Sequence, residues 1–311
     1  MRILFMGTPE FSVPCLELLI AKGFDVCGVF TRPDKPKGRK LTLTQTPVKE
    51  LALKHNIKVF QPNTLKDDAI IESIKDLSPD IIVVVAYGMI LPETVLNIPP
   101  LGCINVHASL LPKYRGAGPI QWSVINGEKE TGITTMYMAK GLDTGDMILK
   151  CATKIGENET YGELYDRLMP MGAELLIKTL LKIEENNAPR EKQNDELSSY
   201  APMLDKSLSP IDWHDNALKI HNLIRGLNPW PTACTQLNNK KIKVLRSVLT
   251  DEQSNSNAGE VIKINNDGIF VCCGDKSLII IKELQEDGKR KMTTSEYLCG
   301  HPIKLGTTLG V

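Results

Sequence analysis

The segment Cys103-Ile104-Asn105-Val106-His107 is an apolar run with an amide and an imidazole set into alternate positions. On a strand, residues two apart face the same side, so Asn105 and His107 project together while Ile104 and Val106 face the other way. An amide donor beside an imidazole suits hydrogen bonding and proton transfer at a bound ligand. A lone strand-end histidine is as readily a satisfied core residue, and the paired Asn105 tilts the balance toward a site. A second polar cluster, Lys140-Gly141-Leu142-Asp143-Thr144-Gly145-Asp146, has glycines bracketing Asp143 and reads as a tight loop that presents a carboxylate. The commoner use of such an Asp is to bond its own turn, and spacing alone does not join Asp143 to His107.

The elements around these residues must hold them at a sheet edge. Arg2–Met6, Val26–Thr31, Lys58–Gln61, Ile81–Ala86 and Ile104–His107 read as strands, with helical spacing between them over Ser12–Ala21, Pro47–His55 and Asp67–Leu77. This alternation predicts βαβ units on a parallel sheet. The run Asp80–Gly88 (DIIVVVAYG) is apolar on both faces, as a central covered strand requires. Asn105 and His107 then sit at the carboxyl end of their strand, where open α/β sheets place ligands. A helix near Ile120–Ile125, strands near Gly132–Met138 and Met147–Ile155, and a helix from Tyr161 to about Glu185 follow, the last expected to kink or break at Pro170.

From Asn186 the periodicity fades into a polar, proline-containing stretch. Beyond it lie a helix around Ala217–Arg225 and short strands at Ala233–Leu237, Lys241–Val248, Gly259–Asn265, Ile269–Cys273 and Leu278–Leu284. The expected class is α/β: a Rossmann-like, mostly parallel sheet domain over 1–188, a linker over 189–208, and a small OB-like β-barrel domain over 209–311.

The 311 residues carry 37 basic and 37 acidic side chains, so a nucleic-acid partner would be held by local patches rather than by global charge. The N-terminal apolar run is too short for a signal sequence or a membrane span, which predicts a cytoplasmic protein without a membrane partner. Eight cysteines include no CxxC pair, and His214 and His221 lack partners at ligand spacing, so no metal is expected. No fingerprint argues for NAD. One local patch stands out. Arg32, Lys35, Lys37, Arg39 and Lys40 crowd a single long βα connection with only Asp34 among them, and Lys240, Lys241, Lys243 and Arg246 form a second basic group. Such segments are either solvated loops or phosphate-contacting arms.

The stretch CINVHASLLPKYRGAGPIQW closely resembles the signature of the folate-dependent formyltransferases, and GLDTGDM resembles the loop carrying their catalytic aspartate. MRILFMGTPEFS, GVFTRPDKPKGRKLTLTQTPVK, VVVAYGMILP and LNPWPTA narrow the resemblance to the methionyl-tRNA formyltransferase family, along essentially the whole chain. The resemblance implies transfer of a formyl group from 10-formyltetrahydrofolate to the free amine of methionyl initiator tRNA, in translation initiation. It places the catalytic Asn, His and Asp on Asn105, His107 and Asp143. It places the folate wall on Val85, Ala86, Tyr87, Gly88, Ser109, Leu110, Leu111 and Pro112. The tRNA-wedging arginine falls on Arg39, with Arg32, Lys35, Lys37, Lys40, Lys240, Lys241 and Lys243 as further tRNA contacts; DNA is not an expected partner. Asn105 would donate to the developing oxyanion, and Asp143 would orient the imidazole of His107. Rival readings keep the chemistry on an amino sugar nucleotide, or hydrolyse formyltetrahydrofolate. The basic loop and an ending at Val311 without an appended domain argue against both, and the intact Asn105, His107 and Asp143 argue against a non-catalytic tRNA-binding protein.

Overall fold

The structure, a computed structural model, describes residues 1–38 and 42–310. It divides into two compact units. The first comprises 1–116, 131–153 and 165–200; the second comprises 117–130, 154–164 and the residues from Ala201 onward. The division is therefore not one cut within 189–208, because two segments from the middle of the chain cluster with the later residues.

The first unit is built on a seven-stranded sheet, in the spatial order Met147–Lys154, Glu130–Tyr137, Cys103–His107, Ile81–Val85, Arg2–Gly7, Asp25–Phe30, Val59–Phe60. The five strands from Cys103–His107 to Val59–Phe60 pair in parallel, and Cys103–His107 pairs antiparallel with Glu130–Tyr137. Ile81–Val85 is buried at every position, which is why its sequence shows no alternation. Helices Val13–Ala21, Pro47–Lys54 and Asp68–Asp76 make the crossovers. Two of them start on side-chain caps, Thr46 accepting from the Lys49 amide and Asp67 from the Ala69 amide. The last helix, Tyr161–Glu184, runs through Pro170 without interruption, so of the kink or break expected there the break is absent. Proline removes one backbone hydrogen bond, and burial of Leu168, Ala173, Leu176 and Leu180 along the same helix outweighs that loss.

The second unit carries an antiparallel sheet in the order Cys234–Leu237, Lys240–Gln253, Ser277–Glu286, Gly268–Cys272, Val261–Asn265, with Met292–Thr293 added to Ser277–Glu286. Its two outermost strands are bridged by the tail. The Gly310 amide donates to the Gln236 carbonyl, and the Val261 amide donates to the Thr307 carbonyl. Edge groups that would otherwise stay unpaired are thus used. Helix Ala217–Gly226 packs against helix Pro119–Ile125 at Gly226, where an added Cβ would lie 2.4 Å from an Ile125 side-chain carbon. Arg225 donates to the carbonyls of Gly156 (3.0 Å) and Glu159 (3.2 Å). These contacts draw 117–130 and 154–164 into the second unit.

His221 lies in the same cluster, Nδ1 at 3.0 Å from Ser247 Oγ and Nε2 at 2.9 Å from the Glu157 carbonyl. Burial lowers its pKa, the Glu157 carbonyl works the other way, and the Arg225 charge adds to the lowering. A histidine whose folded pKa lies below its unfolded value binds fewer protons in the folded state, so stability falls as pH drops below about 6.5. Urea unfolding at pH 7.5 and 5.5 should show an acid loss that is smaller in His221→Asn than in the native chain. An equal loss in both would remove His221 as the sensitive group.

Among the described residues no helix is long and apolar enough to cross a membrane.

Candidate active site

Strand Cys103–His107 places Asn105 opposite Val84 and Met136, and His107 opposite Thr134. Asn105 is half-buried and His107 is 5% exposed. The loop after strand Glu130–Tyr137 returns Asp143 to this strand end. Asp143 Oδ1 accepts from Asn105 Nδ2 at 3.3 Å, and Oδ2 accepts from the Gly116 amide at 2.8 Å while lying 3.7 Å from His107 Nδ1. The carboxylate is therefore spent across the loop junction rather than on its own turn, and the three residues form one cluster. His107 Nε2 lies 2.9 Å from the Tyr114 carbonyl. A carbonyl only accepts, so Nε2 carries a proton and Nδ1 faces the carboxylate. Asp143 holds a φ of 52°, a left-handed conformation that a non-glycine residue keeps only under constraint.

The other expected site segments border the cluster in two different ways. Val85 is buried, whereas Ala86 and Gly88 are exposed with φ of 45° and 78°. An added Cβ at Gly88 would meet nothing within 4 Å, so the backbone there borders open space. Tyr87 itself is 1% exposed and packs in an apolar cluster with Leu4, Met6 and Phe30. Its side chain is core, and only its backbone stays at the strand end. Two hydroxyls fix that backbone: Ser12 Oγ donates to the Val85 carbonyl (2.6 Å), and Thr8 Oγ1 to the Tyr87 carbonyl (3.0 Å).

In Ser109–Pro112, Ser109 is fully buried and donates to the Lys113 carbonyl at 2.6 Å, while Leu111 packs with Met136 and Met147. Leu110 is partly exposed. Thr134 pins the loop from both sides, its hydroxyl donating to the Ser109 carbonyl (2.6 Å) and accepting from the Leu111 amide (3.1 Å). Sequence reading missed Thr8, Ser12 and Thr134. The only signal available was a hydroxyl residue at a strand end or facing His107 across a pair.

The basic connection is a two-stranded ribbon, Lys35–Lys37 against Thr42–Thr44, rather than an open loop. Arg39 and Lys40 lie outside the described residues. Lys35 is exposed. Below the ribbon, Lys49 pairs with Asp34 at 2.6 Å and the Gln61 amide joins Asp34 to the Arg32 carbonyl. Hydrogen bonds from Lys49 and Gln61 hold the Asp34 carboxyl below its usual pKa. In the second unit, Lys240 pairs with Glu286 (3.1 Å), Lys243 with Asp287 (3.7 Å) and Arg246 with Glu163, while Lys241 is exposed. That strand is therefore less positive than its lysines suggest. Of the two histidines considered above, His214 is exposed beside Asp212 and lies ahead of the helix that carries His221. Among the described residues no three His, Cys, Asp or Glu side chains converge as metal ligands.

Residues 1–180 match the family described as formyl transferase, and 203–302 match the formyl transferase C-terminal domain. The chain belongs to the formyl transferase family. It is 53% identical over 310 residues to a methionyl-tRNA formyltransferase of Clostridioides difficile, and 54% identical over 310 residues to one of Alkaliphilus oremlandii, each match covering all of both chains. The fold is also that of an N-formyltransferase from Helicobacter canadensis crystallised with folinic acid and dTDP-3-aminofucose, with a TM-score of 0.70 and 24% identity over 92% of this chain and 99% of that one. The formyl transferase match over 1–180 contains Asn105, His107 and Asp143, and the C-terminal match contains Lys240, Lys241 and Lys243.

Proposed function

We propose that this chain is a cytoplasmic enzyme that transfers the formyl group of 10-formyltetrahydrofolate to the free amino group of methionyl initiator tRNA. The full-length identity of more than half with methionyl-tRNA formyltransferases carries the choice of acceptor. The cluster of Asn105, His107 and Asp143, with open backbone at Gly88 just past the end of the adjacent strand, supports the chemistry.

The amine of an esterified methionine is a competent nucleophile once neutral, with a reference pKa near 8, so no covalent enzyme intermediate is needed. A carbon–nitrogen bond forms to the formyl carbon, the bond to N10 breaks, and one proton passes from the amine to N10. Asn105 Nδ2 carries two hydrogens. One holds Asp143 Oδ1 at 3.3 Å, and the other is directed to the oxyanion of the tetrahedral intermediate. Nε2–H of His107, tied to the Tyr114 carbonyl, fixes the ring, and Nδ1 works with Asp143 in moving the proton. Ala86–Gly88 and Ser109–Pro112 form the folate wall: Ala86, Gly88 and Leu110 border the ligand, while Val85, Tyr87 and Leu111 shape the wall from behind. Lys35, Lys37, Arg39, Lys40 and Lys241 contact tRNA phosphates; Arg32, Lys240 and Lys243 contribute at the margin. Arg39→Ala should raise the KM for tRNA, with a shallower salt dependence, and leave the folate KM unchanged; unchanged tRNA kinetics across a salt series would remove Arg39 as a tRNA contact.

The test is incubation of the protein and formyl donor with methionyl-tRNA, with an amino sugar nucleotide, or with buffer. Formyl-methionyl-tRNA is the expected product. A formylated sugar, or free formate independent of acceptor, would replace this reading with one of its rivals.

A further inference from the structure

Gln193 lies in the polar stretch between the two recognised family segments, yet both donors of its amide nitrogen are committed to the Asp143 turn. Nε2 donates to the carbonyls of Asp143 and Gly145, both at 2.8 Å. Its Oε1 accepts from Arg115 Nε (3.0 Å) and Nη2 (2.8 Å), and the same Nη2 reaches Asp195 Oδ1 at 2.6 Å. Arg115 immediately precedes Gly116, whose amide holds the Asp143 carboxylate. The turn is thus gripped at its carboxylate by the backbone of Gly116 and at its carbonyls through Gln193. On the remaining side Gly145 abuts the Tyr137 carbonyl, where a Cβ would come within 1.8 Å. A left-handed Asp143 persists only when its surroundings over-determine it, and these contacts supply that determination.

We propose that Gln193 is a positioning residue for formyl transfer, acting through the Asp143 turn and held in place by Arg115. The assignment rests on the reading of Asp143 as part of the reacting site. A primary amide is the one side chain here that offers two donors to two carbonyls while accepting a guanidinium fork. Gln193→Glu keeps the shape and the Arg115 partner but sets an acceptor against two carbonyl oxygens.

The test measures kcat, both KM values and the melting temperature for Gln193→Glu, Arg115→Lys, Asp143→Ala and the double variant Asp143→Ala/Gln193→Glu. Gln193→Glu should lower kcat at least about tenfold with both KM values within about twofold, a split that general loss of structure does not produce. The double variant should be no slower than Asp143→Ala alone, because Gln193 has nothing further to position once the carboxylate is gone. Arg115→Lys, which loses the fork but keeps the charge, should show the same split more weakly, and decides the matter if Gln193→Glu does not fold. A native kcat in Gln193→Glu, or independent and additive losses in the double variant, would overturn the proposal while leaving Asp143 in place. A native kcat in Asp143→Ala would overturn the site assignment itself, and the proposal with it.

Discussion

Asn105→Ala and His107→Ala should each lower kcat by at least about a hundredfold, with little change in the folate KM. Loss of a single oxyanion donor commonly costs a hundred- to a thousandfold, because the donor acts mainly on charge that develops in the transition state. Asn105 Nδ2 donates one hydrogen to Asp143, so truncation removes a support of the carboxylate together with the donor proposed for the oxyanion. Removing His107 deletes the group between Asp143 and Tyr114 and with it the hydrogen bond from Nε2 to the Tyr114 carbonyl, and a melting curve would register any loss of stability separately from the loss of turnover. Asn105→Asp is the sharper version. It conserves size and sets a carboxylate against that of Asp143. Turnover at saturating formyl donor and methionyl-tRNA is the measurement, and near-native turnover in either alanine variant would take that residue out of the site.

Gly145→Ala is expected to be nearly as damaging by a different route. Its Cβ would lie 1.8 Å from the Tyr137 carbonyl oxygen and 2.9 Å from the carbonyl carbon, both backbone atoms that cannot rotate away. That strand end is itself fixed, the Tyr137 amide donating to Asp146 at 2.8 Å. The turn must therefore move, and the Asp143 carboxylate moves with it. Overpacking of this kind costs about 1–3 kcal/mol. A shift of about 1 Å in a positioned group can cost a hundredfold in rate. Gly23→Ala is the comparison: its φ is 77° but nothing lies within 4 Å of the added Cβ, so it should lose stability and keep kcat. Equal kcat values for the two variants would show that the Asp143 turn tolerates displacement.

Strand positions were legible to within about a residue where burial on both faces leaves an unbroken apolar run, as in Ile81–Val85, or where paired polar residues interrupt one, as at Asn105 and His107. The ribbon at Lys35–Lys37 was not, because Lys-Pro-Lys has no strand-forming character and takes its shape from its partner, Thr42–Thr44. Pro170 misled for a related reason: local propensity predicts a break, and packing decides. At the site, residue types announced Asn105 and His107, and strand period put them on one face. The reach of Asp143 back to them spans a loop and is set by Gly116, Gly145 and Gln193, none of which has a distinctive local pattern. Their roles depend on contacts between segments far apart in the chain. The family resemblance supplied the link between His107 and Asp143 in advance of the structure, but not Thr134 or Gln193.

The interleaving of the two units sets an order of events during synthesis. Helix Pro119–Ile125 packs against Ala217–Gly226, which is made about a hundred residues later, and Gly156 waits equally for Arg225. At a translation rate of about 5–20 residues per second, the earlier helix leaves the ribosome roughly five to twenty seconds before its partner exists. Throughout that interval the helix waits without the partner it packs against at Gly226 in the finished protein.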